Sequence, residues 1–398
     1  MQIDPAIFKA NDIRGRAAAP GAVLTAEVAR LVGAAFGTYL QRAAGQRVAV
    51  VGYDNRNTST ALAQAASQGL QAAGCDVIDI GMVSTPLVYW SAVRRGRVGG
   101  LMVTGSHLEP AQNGFKFCVG AASLHGAAIQ HLRDLIAAGD FAQGSATVTE
   151  RPAIPEYIAD LVQRFRMPRP LRLVIDAGNG TAGAVAPALF REWGHRVTCL
   201  YCTPDGDYPN HQPNPQKAEN MRALCAKVRE VRADIGIAFD GDADRIGVVD
   251  ERGAIIAPDR VIALLARDVL QRCPGGEGRG RRDVQPGAVR RGEAGGRHAC
   301  HVDDRPRPHQ AEAAGHRGRA RRRGERPHHR ARGLLPLRRR LCRRRQAAAG
   351  RRRKRWAALR AGCDAAGAAQ LAGLPAPLPA GHHALGDGAR EGAAQRRG

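Results

Sequence analysis

Short apolar runs alternate with longer segments of helical spacing along the first 278 residues. The runs at residues 47–54, 75–80 and 99–104 are short, rich in apolar residues and flanked by polar or glycine-containing segments, which is typical of buried strands. Residues 59–73 and 122–138 carry apolar positions at the spacing of an amphipathic helix. This alternation predicts a mostly parallel sheet with crossover helices.

The same alternation returns after Pro152. The predicted elements are strands at residues 171–176, 196–200 and 235–239, a glycine-rich turn at residues 177–183 and a helix at residues 218–231. A third unit starts with a predicted helix at residues 259–270, and there the pattern stops.

These units predict an α/β protein built from tandem domains with mixed or parallel sheets. We place the first domain at residues 1–147, the second at residues 148–252 and the start of a truncated third domain at residues 253–278. The remaining segment, residues 279–398, has a different composition. It contains no Ile, Phe, Tyr, Met, Ser, Thr or Asn, so we expect it to be disordered.

The charge is concentrated in this last segment. The chain of 398 residues has a formal net charge of +24, and residues 279–398 hold 31 of the 60 basic but only 9 of the 36 acidic residues. An arginine-rich arm that binds nucleic acid through its phosphates is one interpretation. A change of reading frame near residues 274–282 of a GC-rich gene is the other. We favour it because, within residues 279–398, lysine occurs only at Lys354 and Trp356 is the only aromatic residue, so none are interleaved for base stacking. We therefore expect only non-specific nucleic-acid binding.

Membrane and secreted classes are disfavoured. No apolar run reaches the ~18–20 residues of a membrane helix, and the first residues lack the features of a secretory signal. Nine cysteines are scattered along the chain, and Cys199 and Cys202 form a C-x-x-C pair. We interpret this pair as reduced core thiols, with a redox or zinc role as the alternative. A cytoplasmic protein without membrane contact is predicted.

Three alternating carboxylates follow the strand predicted at residues 235–239. Asp240, Asp242 and Asp244 lie in a loop that contains Gly241, so their oxygens can converge on a hard cation such as Mg²⁺. A calcium EF-hand does not fit, since Arg245 occupies the position that requires glycine and a strand precedes the loop. A solvated acidic turn remains the simpler alternative.

A second motif, Thr-Gly-Ser-His, follows the strand predicted at residues 99–104. Its Ser106 could be a nucleophile or a phosphate carrier, with His107 beside it and Lys116 ten residues further on. The pattern is not the G-x-S-x-G of a nucleophile elbow. Taken alone, Ser106 is more typical of an ordinary turn, and Lys116 of a solvated surface charge.

Two further segments carry weaker indications. Arg14 lies in an N-terminal Asp-Ile-Arg-Gly sequence, where a surface arginine is the simpler interpretation. The turn at residues 177–183 matches the G-x-G-x-x-G spacing, and its backbone N–H groups could bind an anion. A dinucleotide site is disfavoured there, because no acidic residue ends a strand about 20 residues later.

Together these motifs resemble the α-D-phosphohexomutases, and most closely their bacterial phosphomannomutase/phosphoglucomutase branch. The resemblance covers about residues 6–275 and depends on the order and spacing of the motifs. The quoted segments are DIRG at residues 12–15, TGSH at 104–107, NGFK at 113–116, AGNGTAG at 177–183, PNHQPNPQKAEN at 209–220 and DGDADR at 240–245.

The resemblance implies a fold of the phosphohexomutase type and a mechanism. Ser106 would be carried as phosphoserine and would exchange its phosphoryl group with hexose 1- and 6-phosphates through a 1,6-bisphosphate. Mg²⁺ would be held by the phosphate on Ser106 together with Asp240, Asp242 and Asp244, and glucose or mannose 1,6-bisphosphate would be the activator. Arg14, His107, Lys116 and Arg245 would line the cleft, with Lys116 the candidate for proton transfer.

The chain also departs from this family. Leu108, Glu109 and Pro110 stand where the family has Asn-Pro after TGSH. The sugar-recognition loop of the third domain and the phosphate-clamping loop of the fourth have no counterpart after residue 259. We therefore expect impaired activity. Phosphoglucosamine mutase activity and a non-catalytic, arginine-rich nucleic-acid binder are the alternatives.

Overall fold

A computed structural model describes residues 3–272 of the chain, which form two α/β domains. The first domain contains a seven-stranded sheet with the order β1-β5-β4-β2-β3-β7 and with β6 beside β5. Its strands are β1 (Ile13–Arg16), β2 (Val48–Tyr53), β3 (Asp76–Met82), β4 (Gly99–Val103), β5 (Gln112–Val119), β6 (Ala122–Ser123) and β7 (Val148–Glu150).

This sheet is mixed rather than mostly parallel. The strands β2, β3, β4 and β7 run parallel, whereas β5 is antiparallel to β4, β1 and β6. The antiparallel part arises because β4 returns directly into β5 through the short segment that carries Ser106, without a crossover helix. The predicted α/β class with mixed sheets is therefore confirmed, and the emphasis on parallel strands was wrong for this edge.

Helices cover both faces of the first sheet. They are α1 (Ala26–Ala44), α2 (Ser59–Ala72), α3 (Thr85–Arg94) and α4 (Ala127–Ala138). Alternate residues of β4 point to opposite faces: Leu101 packs in the core with α1, α2 and α4, whereas Met102 packs in the core with α3. The strand that leads to Ser106 is therefore buried on both sides.

The second domain repeats the arrangement around a smaller sheet of order β12-β11-β10-β8-β9. Its elements are α5 (Ile154–Arg164), β8 (Arg172–Asp176), α6 (Ala186–Glu192), β9 (Arg196–Leu200), α7 (Arg222–Glu230), β10 (Ile235–Phe239), β11 (Ile246–Val249) and β12 (Ile255–Ile256). The helix α8 (Pro258–Arg272) follows, and its place at the start of a third domain stays a prediction. The strands β8, β9 and β10 are parallel, and β11 and β12 complete the sheet in antiparallel fashion.

The first sheet extends beyond the boundary that was predicted between residues 147 and 148. The strand β7 pairs with β3, because Val148 continues a segment already anchored by Thr147, whose backbone N–H and hydroxyl both donate to Asp76. Residues 148–150 thus pair with the first sheet, and we propose that the second domain begins after Glu150. The predictions for residues 279–398, including disorder and nucleic-acid binding, lie outside the described residues.

Within residues 3–272, none of the helices combines the length and apolarity that crossing a membrane requires.

Candidate active site

The segment after β4 holds Ser106 in a strained, fully buried turn. Ser106 has a φ of 52°, in the left-handed region that non-glycine residues rarely adopt. Its backbone N–H donates to the hydroxyl of Thr104 at 2.8 Å. That hydroxyl donates in turn to Asp54 Oδ2 at 2.8 Å, and the same oxygen accepts the N–H of Gly105 at 3.0 Å. A carboxylate at the end of β2 thus fixes the turn.

The loop between β10 and β11 brings three carboxylates together. One oxygen from each of Asp240, Asp242 and Asp244 lies within 4.8 Å of the others, and this is the one such cluster among residues 3–272. Asp240 Oδ1 accepts the N–H groups of Asp244 and Arg245, both at 3.0 Å, so the first carboxylate folds the loop around itself. Asp240 and Asp242 are fully buried, and Asp244 faces solvent.

The serine and the carboxylates meet between the two domains. The hydroxyl of Ser106 donates to Asp240 Oδ2 at 2.8 Å and lies 3.3 Å from His107 Nδ1. Burial, together with the charges of Arg245 and Arg14, lowers the pKa of His107 to about 4. His107 is therefore neutral at neutral pH and can accept a proton or a hydrogen bond.

Lys116 lies between the other two carboxylates. Its ammonium group is 2.6 Å from Asp242 Oδ2 and 2.6 Å from Asp244 Oδ2. Burial opposes the charged amine, but the two carboxylates outweigh it and raise the pKa of Lys116. In this arrangement Lys116 is a charge partner, because an amine that two carboxylates keep protonated cannot accept a proton.

The two carboxylate oxygens of Asp242 differ in their hydrogen bonding. Its Oδ2 accepts the hydroxyl of Thr85 at 2.6 Å as well as the Lys116 ammonium, and Thr85 N–H donates to its backbone carbonyl. Its Oδ1 is buried and has no hydrogen-bonding partner among the described residues. An unpaired carboxylate oxygen is costly in a protein interior, and a bound cation would satisfy it.

The carboxylates also disfavour one another's charge. Burial and the neighbouring charges of Asp242 and Asp244 raise the pKa of Asp240 well above its ordinary value. For Asp242, burial acts in the same direction, but Lys116 outweighs it and lowers the pKa. A divalent cation would compensate the repulsion within the trio, so these residues suit a hard metal ion such as Mg²⁺.

Arg14 and Arg245 lie on different sides of the site. Arg14, on β1, donates to Asp12 Oδ2 at 2.8 Å and to the carbonyl of Thr104 at 2.6 Å. With His107 it lines a cavity of about 590 Å³ whose wall also includes Lys9 and Lys217. Arg245 instead lies beside the aspartate loop, with its Nε 3.9 Å from Asp240 Oδ2 and 3.8 Å from Asp244 Oδ1. The structure thus gathers all eight predicted site residues around one interdomain region.

Asp54, Thr85 and Gln212 contribute to this region and were not predicted. Asp54 and Thr85 position the serine turn and the aspartate loop, respectively. Gln212 Nε2 donates to the carbonyl of His107 at 2.9 Å and to Glu109 Oε1 at 3.2 Å, so it links the second domain to the serine loop. Gln212 lies in the segment at residues 209–220, which only the family resemblance singled out.

The glycine-rich turn at residues 177–183 does not bind an anion through its first N–H groups, because each donates to an oxygen of the protein. The acceptors are Asp176 for Gly178, Tyr201 for Asn179, Ala177 for Gly180 and Gly241 for Thr181. A Cβ atom at Gly180 would lie 2.7 Å from the Gly241 carbonyl. The glycine therefore permits close packing against the aspartate loop, and these N–H groups are not available for the anion contact that the sequence allowed.

The cysteine pair also differs from its prediction. Cys199 is exposed and Cys202 is half-buried, so they are not both core thiols, although both are free. Burial raises the pKa of Cys202 to about 12, which disfavours the thiolate that redox chemistry or zinc binding requires.

Comparisons with known proteins identify both domains. The family model for domain I of phosphoglucomutase/phosphomannomutase, described as alpha/beta/alpha, matches residues 5–143. The model for domain II of the same family matches residues 155–253. The matched ranges contain Ser106 and the aspartate loop, respectively.

Individual relatives agree with these models. The chain is 44% identical over 272 residues to a phosphomannomutase/phosphoglucomutase of Pseudomonas aeruginosa, which corresponds to 68% of this chain and 58% of the relative. It is equally identical, over 273 residues and with the same coverage, to a phosphoglucomutase of Neisseria meningitidis serogroup B. A crystal structure of a family protein from Burkholderia thailandensis superposes with a TM-score of 0.69 at 40% identity and covers 73% of this chain and 64% of that one. The chain thus spans less than two thirds of each relative.

Proposed function

We infer the function from one premise: the chain belongs to the phosphoglucomutase/phosphomannomutase family, whose models for domains I and II it matches. We propose that it transfers phosphoryl groups between hexose 1- and 6-phosphates, with Ser106 as the phosphoryl carrier. The observation that carries this proposal is the 2.8 Å hydrogen bond from Ser106 Oγ to Asp240 within the carboxylate trio. The names of the relatives at 44% identity support the mannose and glucose phosphates as substrates.

Asp240, Asp242 and Asp244 would hold Mg²⁺, together with the phosphate on Ser106. The buried, unpartnered Oδ1 of Asp242 supports this assignment. When bound, the ion would neutralise the charge of the transferring phosphoryl group. The protein's own contribution is positional, because phosphoryl transfer needs an in-line approach and little covalent chemistry from the enzyme.

The reaction is a pair of phosphoryl transfers. In the first, the bond between Ser106 Oγ and phosphorus breaks while the free hydroxyl of a hexose monophosphate forms a new bond to phosphorus; that hydroxyl loses its proton, and Ser106 Oγ takes one up. The resulting 1,6-bisphosphate turns over in the cleft. In the second, the bond between its other ester oxygen and phosphorus breaks, Ser106 Oγ forms the new bond to phosphorus and loses its proton, and the sugar oxygen takes one up. Glucose or mannose 1,6-bisphosphate would start the cycle by phosphorylating Ser106.

Three cations support the binding of such anionic substrates. Arg14 lines the interdomain cavity, Arg245 lies beside the aspartate loop and Lys116 bridges two of the carboxylates. Lys116 remains our candidate for proton transfer with the sugar hydroxyl, a role that would require its ammonium group to move away from Asp242 and Asp244. His107, neutral and 3.3 Å from Ser106 Oγ, would orient the serine.

The proposal concerns first the transfer of a phosphoryl group to Ser106, since the chain spans 58% of the length of the curated relatives. We expect phosphorylation of Ser106 and little complete turnover. We also propose the cytoplasm as its compartment, which the free thiols of the five described cysteines support.

The test is to incubate the full chain with glucose 1,6-bisphosphate and Mg²⁺ and to locate any phosphate by mass spectrometry of the intact protein and of its peptides. We expect one phosphoryl group on Ser106 that depends on Mg²⁺ and is lost in Ser106→Ala. Ser123→Ala is the matched control, because Ser123 is exposed on β6. Label at another residue, or no label at saturating bisphosphate and Mg²⁺, would contradict the proposal.

A further inference from the structure

A buried ion pair lies beneath the serine turn and has no part in the chemistry proposed above. The side chains of Asp54 and Arg56 are fully buried, and Arg56 Nε lies 3.2 Å from Asp54 Oδ2. Both residues belong to the segment between β2 and α2. A buried charge pair persists only where further hydrogen bonds satisfy its remaining donors and acceptors, so the partners of this pair indicate what it holds in place.

Arg56 binds the backbone of the serine loop through four carbonyl groups. Its two terminal nitrogens donate to the carbonyls of Ser106 at 3.0 Å, Leu108 at 2.7 Å, Glu109 at 2.6 Å and Gln112 at 3.1 Å. The first three carbonyls belong to the connection between β4 and β5, and Gln112 is the first residue of β5. The planar guanidinium can serve these acceptors together, whereas a lysine ammonium is a single point with three donors.

Asp54 holds the other side of the same turn. Its Oδ2 accepts the Thr104 hydroxyl and the Gly105 N–H, and its Oδ1 accepts the Arg56 N–H at 3.0 Å and the hydroxyl of Ser59. The space around the guanidinium is closely filled, since a Cβ atom at Gly105 would collide with Arg56 Nε. The pair therefore constrains both the residues before Ser106 and those after it.

The segment that carries this pair also contacts the second domain. The guanidinium of Arg56 lies over the ring of Tyr208, 5.1 Å from its centroid. Next to Arg56 in sequence, Asn55 Nδ2 donates to the carbonyl of Asn179 and Asn57 Nδ2 donates to Asp207 Oδ1, both at 2.8 Å. The hydroxyl of Tyr208 lies close to Gly241, because a Cβ atom added at this glycine would be 3.3 Å from it. The segment of Asp54 and Arg56 thus contacts the serine loop on one side and, on the other, the tyrosine that packs against the aspartate loop.

We propose that Asp54 and Arg56 act as a positioning pair that sets Ser106 opposite the aspartate trio. The pair holds the turn in the conformation with a φ of 52° at Ser106 and anchors it relative to the second domain. Arg56 is a positioning residue, since its nitrogens reach backbone carbonyls and not the reacting hydroxyl. This inference depends on the proposed function for its kinetic readout only.

The principal variant is Arg56→Lys, which keeps the charge but cannot reproduce the four carbonyl contacts. Arg42→Lys is the matched control, because Arg42 forms an exposed two-bond pair with Asp140 in the same domain, at 2.6 and 2.9 Å. Three quantities are measured on the full chain: the rate of Ser106 phosphorylation by glucose 1,6-bisphosphate, the affinity for Mn²⁺, and amide hydrogen exchange at residues 104–112.

In Arg56→Lys we expect phosphorylation to slow at least tenfold while the Mn²⁺ affinity of the aspartate loop stays within about twofold. Exchange at the Gly105 and Ser106 amides should accelerate at least tenfold, and exchange at residues 240–245 should not change. Arg42→Lys should match the wild type in every measurement. A general structural defect would instead lower the phosphorylation rate, the Mn²⁺ affinity and the thermal midpoint together, and that result would overturn the proposal.

Asp54→Asn serves as the second variant if Arg56→Lys does not fold, because it keeps the shape of the side chain and removes its charge. In this variant too, phosphorylation of Ser106 should slow while the affinity for Mn²⁺ stays nearly unchanged. If the wild-type chain is not phosphorylated at all, the proposed function fails, but the exchange measurement still decides the positioning role. Unchanged exchange at Gly105 and Ser106 in both variants would refute it.

Discussion

Ser106 and Asp240 are 134 residues apart in the chain, yet the serine hydroxyl donates to the carboxylate at 2.8 Å. Each residue follows a strand of a different sheet, so each is positioned by its own domain. The contact therefore depends on how the two domains are joined, and the residues that bridge them should influence the site without belonging to it.

Thr85 is one such bridge, because its hydroxyl reaches from the first turn of α3 to Asp242 Oδ2 at 2.6 Å. Thr85→Val keeps the shape and removes this hydrogen bond to a charged group. We expect Mn²⁺ affinity to fall about tenfold, equivalent to about 1.5 kcal/mol, as measured by calorimetric titration. Thr149→Val, on the exposed strand β7, should leave the affinity unchanged. Equal Mn²⁺ affinities for the wild type, Thr85→Val and Thr149→Val would show that the hydrogen bond from Thr85 to Asp242 does not affect cation binding.

Lys116 neutralises two carboxylates when no cation is bound. Lys116→Met should destabilise the cation-free protein by about 3–5 kcal/mol, because it leaves the buried Asp242 without its charge partner. Added Mg²⁺ should then raise the thermal midpoint more in the variant than in the wild type. Lys227→Met is the control, since the pair of Lys227 with Glu230 is exposed. A midpoint that responds equally to Mg²⁺ in variant and wild type would contradict this view.

His211 contributes a pH-dependent part of the stability of the second domain. Burial lowers its pKa, but the hydrogen bond and charge of Asp176 outweigh burial, so that the pKa of His211 is raised. Because the pKa of His211 is raised in the native state, its ion pair with Asp176 stabilises the folded protein, and this stabilisation is complete below the unfolded-state pKa of about 6.5. It disappears as the pH rises through the native pKa.

Replacement of His211 by Gln should therefore cost more stability at pH 6 than at pH 9, as measured by urea unfolding. His125→Gln provides the comparison, because His125 is exposed and bonds only the carbonyl of Ser123 among its polar neighbours. A loss in His211→Gln that is the same at both pH values would exclude the ion pair with Asp176 as its cause.

Leu101 supports the strand that leads to the serine turn. It is fully buried on β4, so Leu101→Ala should destabilise the protein by about 2–5 kcal/mol through lost burial and the cavity left behind. Leu264→Ala tests the same deletion on α8, where the side chain is 58% exposed, and should change stability by no more than about 0.5 kcal/mol. Both values come from the midpoints of urea unfolding curves.

The sequence pattern predicted six of the twelve described strands, namely β2, β3, β4, β8, β9 and β10, because each is an apolar run between polar or glycine-rich segments. The strand at residues 235–239 matches β10 in both bounds, and the helix at residues 59–73 matches α2 to within one residue. The helix α1 was not predicted. Its glycines weaken a helical pattern, yet Gly33 is needed because a Cβ atom there would collide with the Ala66 carbonyl on α2. Only the packing of α1 against α2 explains why residue 33 is a glycine.

The chemical residues of the site were easier to predict than the residues that hold them. Asp240, Asp242 and Asp244 form a local pattern with a direct chemical meaning. Arg56 lies in a polar segment that the sequence presents as an ordinary loop, and nothing local indicates that its side chain is fully buried. Its role depends on carbonyl groups about 50 residues further along the chain, which only the folded structure brings together.

The separation of the site between two sheets has a consequence for biosynthesis. A ribosome adds ~5–20 residues each second, so roughly 7–27 s pass between the synthesis of Ser106 and that of its carboxylate acceptor. During that interval the nascent first domain can fold around β4, but its serine hydroxyl still lacks Asp240. The nascent chain therefore contains Ser106 well before the carboxylate that accepts its hydrogen bond, which is in place only after the second sheet has been made.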